Sequence, residues 1–135
     1  MKNDLIFMTT TTDTSVLSNG IVPLSTIARR RGCALQGSNN AITLMKVGYY
    51  KVSGTITLTA PTIGDVTIVV AKNGTPVSGI EVTSTISTAT TQEQTLPIEG
   101  IVRVYCNEGT PVLTLVNTGI GITISNVALD VEYLG

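Results

Sequence analysis

The chain reads as an all-β antiparallel sandwich of the jelly-roll type, and three observations point there. Val, Ile and Thr dominate the 135 residues while Trp is absent and only one Phe is present, a β-branched excess that suits pleated sheets better than helices. Long stretches alternate apolar and polar residues with period two, as half-buried strands do. Turn signals recur every 8 to 12 residues, which predicts eight to ten short strands in a sandwich.

The clearest stretch is Ile42 to Ala60. From Lys51 to Thr59, Val52, Gly54, Ile56 and Leu58 point one way and Lys51, Ser53, Thr55, Thr57 and Thr59 the other. Ile42 to Lys46 is a shorter strand before it, with Val47-Gly48 as the break. Upstream, residues 4 to 12 form a first strand with Leu5, Phe7 and Thr9 inward, followed by a polar turn from Asp13 to Gly20. In Ile21 to Ile27, Pro23 excludes a central ladder position and marks an edge or a crossing segment. Gly37-Ser38-Asn39-Asn40 is a loop by composition. The organisation expected is an N-terminal arm with the first strand over residues 1 to 20, reaching a neighbour, and a jelly roll over 21 to 135.

Downstream, Val66 to Ala71 and Thr75 to Ser87 flank Asn73-Gly74, a tight-hairpin signal because both positions tolerate positive φ. In the returning strand Ile80, Val82, Ser84 and Ile86 share a face. Thr88 to Thr95 is a polar loop. Pro97 to Cys106 is the next strand, with Val102, Val104 and Cys106 inward and Arg103 and Tyr105 outward. Short strands at 112 to 116 and 120 to 124 bracket Asn117-Thr118-Gly119. The last strand sets Val127, Leu129, Val131 and Tyr133 against Ala128, Asp130 and Glu132.

Composition bounds the function. The sequence holds no His, which removes the commonest general base, triad member and zinc ligand. No glycine-rich loop opens a helix to cradle phosphate. The nine carboxylates scatter over turns and wet strand faces; Asp130 and Glu132, at i and i+2, are the nearest thing to an acid pair. The reading is therefore a non-enzyme without catalytic residue, cofactor or metal. A disulfide between Cys33 and Cys106 is one option, although the lack of an export signal argues for reducing conditions; neither has a nearby Cys or His to share a metal, and packing as a small buried hydrophobe is the default for Cys106.

Net charge of −1 gives no general attraction to nucleic acid or anionic lipid. Apolar runs are too short for a spanning helix, and five aromatics cannot furnish the girdles of a membrane barrel. Neither nucleic acid nor membrane is expected as a partner. The start of the chain lacks the pattern of a signal peptide. Arg29-Arg30-Arg31 is the one basic cluster, a candidate patch for an acidic partner or a solvated strand end. Only 13% of residues are charged, against about a quarter in ordinary domains. The runs VTIVVA (66 to 71) and PVLTLV (111 to 116) are apolar on both sides, so one face of each lacks an obvious core. Burial against other copies of the chain is the expectation, with Val69, Ala71, Leu113, Leu115 and Tyr50 as the candidate trimer interface. Cover by the chain's own loops is the alternative.

The order of signals from Ile42 onward resembles the trimeric jelly-roll domains of the tumour-necrosis-factor and complement-globular-head superfamily, above all their bacterial and phage versions. The residues that carry the likeness are Gly48, Tyr49, Tyr50 and Val52, then Asn73, Gly74, Val77 and Gly79, within residues 40 to 135. The chain also resembles short proteins of this kind in prophages of gut Firmicutes, which share the run IVPLSTIARRRGCALQG (21 to 37). The resemblance implies a homotrimeric virion component such as a head fibre, capsid decoration or fibre knob, made in the bacterial cytoplasm. Its partners would be itself, capsid or fibre proteins, or a host surface glycan. No collagen-like Gly-X-Y stalk is present, and the family's receptor and calcium residues have no counterpart. A carbohydrate-binding lectin-like sandwich and a secreted cytokine-like ligand are the rival readings.

Overall fold

The period-two pattern folds into two facing sheets in a computed structural model that describes residues 4–38 and 40–135. Twelve strands form among the described residues: β1 (Leu5–Thr10), β2 (Thr14–Val16), β3 (Gly20–Val22), β4 (Thr26–Arg31), β5 (Leu35–Ser38), β6 (Ala41–Leu44), β7 (Gly48–Thr59), β8 (Gly64–Lys72), β9 (Thr75–Ile86), β10 (Gln94–Val104), β11 (Val112–Asn117) and β12 (Ile122–Tyr133). Sheet A runs β10-β7-β12-β1-β4, with β2 also on β12; sheet B runs β5-β6-β11-β8-β9, with β3 also on β11. Every pairing is antiparallel.

The inward residues of both sheets make one core. Val52, Ile56 and Leu58 of β7 meet Val127, Leu129 and Val131 of β12 and Val102 and Val104 of β10, opposite Ile42, Leu44, Ile68, Val70, Leu113 and Leu115 of sheet B. Gly54 interrupts the apolar row of β7 because a side chain there would run into the Ala128 carbonyl of β12. At the β8–β9 hairpin, Asn73 and Gly74 both have positive φ, 51° and 83°, as an Asn-Gly tight turn requires. Pro23 lies between β3 and β4 where the chain crosses from sheet B to sheet A, and its carbonyl accepts the Thr10 hydroxyl at 2.7 Å.

Four details differ from the sequence reading. Twelve strands replace eight to ten because three- and four-residue segments within the expected turns also pair: Thr14–Val16 on β12, Gly20–Val22 on β11, and Leu35–Ser38 on β6. Position 39 of that last expected loop lies outside the described residues. In β1 the buried set is Ile6, Met8 and Thr10, not Leu5, Phe7 and Thr9; alternation fixed two sets but not which one faced the core. Cys106 is exposed and unpaired, as is Cys33, because β10 ends at Val104 and the chain turns out through Tyr105–Glu108. The proposed arm is partly an interior strand: Leu5–Thr10 sits between β12 and β4 in the chain's own sheet, and residues 1 to 3 lie outside the described residues.

Candidate interaction surfaces

The outward residues of each sheet are the surfaces on which function can act. Among the described residues no group of three His, Cys, Asp or Glu side chains is placed to hold a metal ion.

On sheet B, register aligns Ile21, Val116 and Val69 in one outward row and Thr114, Ala71 and Pro76 in the next. Together with Asn19, Gly74 and Thr118 they line an open hollow of about 420 Å³. Val69 and Ala71 form its floor, 3% and 1% exposed in the single chain. Neighbouring segments of the same chain therefore cover them, which needs no partner. Leu113 and Leu115, expected beside them at an interface, face the opposite way into the core. The placement follows from β11 pairing with β8 so that Thr114 and Val116, rather than the leucines, share the outward rows. Tyr50 is also internal, fully buried, its hydroxyl donating to the Lys46 carbonyl at 2.6 Å and accepting the Lys46 N–H at 3.0 Å. Burial pushes its phenol pKa above the ordinary value, against the opposing effect of the Lys46 backbone hydrogen bond. These three residues are corrected from interface to core.

The three arginines separate by alternation. On β4, Arg29 and Arg31 face the outer side of sheet A, in register with Phe7 and Leu5. Arg30 turns to the other side, where its Nε donates to the Leu35 carbonyl of β5 at 3.1 Å and ties the two sheet edges together. They do not form a single basic patch.

The outer face of sheet A is centred on three long strands, β7 and β12 with 12 residues each and β10 with 11. Three outward rows cross it: Ile101–Lys51–Glu132–Leu5–Arg31, Glu99–Ser53–Asp130–Phe7–Arg29, and Pro97–Thr55–Ala128–Thr9–Thr26. Short side chains fill the third row, Pro97–Thr55–Ala128–Thr9–Thr26, whereas the other two carry most of the long and charged ones. Half-burial holds the Asp130 carboxyl above its ordinary pKa; the neighbouring Glu132 adds to the rise and Lys51 opposes it.

One end of this face carries an aromatic–arginine group that the sequence reading passed over. Arg103 lies in register with Tyr49, its guanidinium 5.3 Å from the Tyr49 ring centroid and 4.4 Å from that of Tyr105, within cation–π range. Beside it, Lys72 Nζ pairs with Glu108 at 2.7 Å and donates to the Arg103 carbonyl; hydrogen bonding from Lys72 is the main reason the Glu108 pKa is lowered. Leu134 joins this end by donating its N–H to the Tyr49 carbonyl, and Val47 by accepting the Tyr133 hydroxyl at its carbonyl. Val47, Tyr49, Ile101, Tyr105 and Leu134 are all about half exposed, so the large hydrophobic side chains left in water concentrate here. The outward placement of Arg103 and Tyr105 on one strand was the available signal; their meeting with Tyr49 depends on the β7–β10 register.

No protein-family model and no curated protein matches this chain. Solved structures do match. Murine APRIL at pH 8.5 superposes with a TM-score of 0.71 at 16% identity, covering 98% of this chain and all of that one. The PRD1 vertex protein P5 superposes with a TM-score of 0.56 at 16% identity, covering 98% of this chain and 97% of that one. At such identities the likeness is one of fold, and the fold is an antiparallel TNF-like jelly roll.

Proposed function

We propose that this chain is a non-enzymatic structural or adhesive accessory protein of a phage or phage-derived particle, a head fibre, capsid decoration or fibre knob, located on the virion and working as a homotrimer. The observation that carries the reading is the outer face of sheet A. It spans β10, β7 and β12 and ends in a half-exposed group of Val47, Tyr49, Ile101, Tyr105 and Leu134 around Arg103. Tyr and Arg flanked by aliphatic side chains are the composition of an interface centre rather than of free surface. The fold likeness to the PRD1 vertex protein P5 supports the virion setting. In this reading the copies meet through sheet A, and the outward side of sheet B, with its Val69–Ala71 hollow, stays available to a capsid protein or a host glycan.

The likeness to murine APRIL favours a second reading, a cytokine-like ligand. Both readings share self-association and differ in partner. Purification of assembled particles separates them: the chain travelling with capsids at fixed stoichiometry supports the virion role, and its absence from particles with binding to a cell-surface receptor supports the other. Binding to a glycan panel without particle association would favour a lectin-like module.

A further inference from the structure

At the aromatic end, Arg103 has no anion beside it among the described residues. Its neighbour Lys72 is matched by Glu108, whereas among the described residues no carboxylate pairs with the Arg103 side chain. The Tyr49 and Tyr105 rings hold its guanidinium in place, so little side-chain freedom remains to be lost when an anion docks. On the same face, Asp130 sits on the central strand in register with Ser53 and Phe7 and likewise has no ion pair. Its half-burial and then its like-charged neighbour Glu132 disfavour a free carboxylate there, and Lys51 on the adjacent strand opposes them only in part.

These two groups cannot meet within one chain. Arg103 lies in the row of Tyr49 and Leu134 on the free edge strand β10. Asp130 lies two strands inward and four residues along, about 16 Å away by strand spacing and rise. They are two different surfaces of one subunit, an edge and the middle of a face. Contacts between different surfaces are heterologous, and they close into a ring where the rotation between copies closes, as a trimer requires.

We propose that Arg103 of one copy pairs with Asp130 of a second copy, and that this edge-to-face ion pair fixes the register in which copies meet. The proposal rests on the self-association put forward above. Glu99 fits the role less well, because it shares the edge strand with Arg103 and would require two edges to meet.

The test is sedimentation velocity on the full chain as wild type, Arg103→Glu, Asp130→Arg and the double swap, with thermal melts confirming the fold of each. Each single reversal weakens association by about tenfold or more, and the double swap recovers most of that loss. Arg103→Gln and Asp130→Asn, which drop charge with little change of shape, weaken it in the same direction. A wild-type chain that stays monomeric overturns the self-association reading and the pair together. An associating wild type with an unaffected Arg103→Glu overturns the pair alone. Disruption by Arg29→Glu but not by Arg103→Glu assigns the contact to the opposite edge and also overturns it.

Discussion

Asn117 and Ile120 close the β11–β12 turn through a single buried side chain: Asn117 Nδ2 donates to the Ile120 carbonyl at 2.7 Å while its Oδ1 accepts the Gly119 N–H at 3.1 Å. Asn117 is fully buried, and the turn it closes lies against β8, where Thr118 and Ile120 donate N–H groups to the Thr67 and Asp65 carbonyls. Replacing Asn117 with Ala leaves these buried groups without partners. The expected cost is about 2–3 kcal/mol, read by urea denaturation.

Tyr50→Phe removes both hydrogen bonds to the Lys46 backbone, for an expected loss of about 1–2 kcal/mol. It also alters the alkaline limb of stability. The folded pKa of Tyr50 lies above the ordinary 10.0, so the phenol ionises more readily in the unfolded chain. Its contribution is complete below pH 10.0 and lost as pH rises through the folded value. Melts from pH 9 upward should show a shallower alkaline decline for Tyr50→Phe than for the wild type.

Asp130 acts in the acid range with the same sign. Its folded pKa is raised from 3.8, first by burial and then by Glu132, with Lys51 opposing. The folded state binds this proton more tightly, so the contribution is present below pH 3.8 and declines as pH rises through the folded value. Glu108 runs the other way: its pKa is lowered from 4.5, chiefly by Lys72, so its contribution is present above pH 4.5 and is lost as pH falls through the folded value. Asp130→Asn should remove the first slope and Glu108→Gln the second, measured as stability differences from wild type between pH 3 and 6.

The two sheets should respond differently to substitution. Ile101 is 52% exposed on the proposed contact face, so Ile101→Glu is expected to abolish association while changing monomer stability by no more than about 0.5 kcal/mol. Val69 is covered within its own chain, so Val69→Ser should cost about 1–2 kcal/mol and leave the mass of the assembly unchanged. The monomer has the resources to survive loss of its partners: its surface of 6782 Å² is close to the roughly 6,700 Å² that scaling gives for a 14.1 kDa folded chain.

Exposure of both Cys33 and Cys106 predicts that both thiols of the native protein react with a bulky aromatic disulfide reagent without denaturant. Protection of Cys106 would mean that the Tyr105–Glu108 turn is covered.

Much of the fold was legible because strand alternation is a local signal. The facing sets of β7, β9 and β12 follow directly from the order of their residues, and Asn73-Gly74 marks its hairpin by conformational need. Choosing between two faces was harder where both are apolar. In β1 and β11 the inward set is decided by which neighbour each strand pairs with, and the sequence around Leu5–Thr10 or Val112–Asn117 carries no term for that. Local alternation already separates Arg30 from Arg29 and Arg31 and sets Tyr50 on the inward side with Val52, but only the non-local β7–β10 register brings Tyr49 to Arg103. The aromatic–arginine end was therefore visible only as scattered residues.

Sedimentation equilibrium of the wild-type chain beside Ile101→Glu tests self-association through sheet A most directly. The wild type is expected at three times the chain's 14.1 kDa and the variant as a folded 14.1 kDa species. A wild type that remains at 14.1 kDa up to the highest soluble concentration, or a variant that still assembles, would contradict self-association through that face.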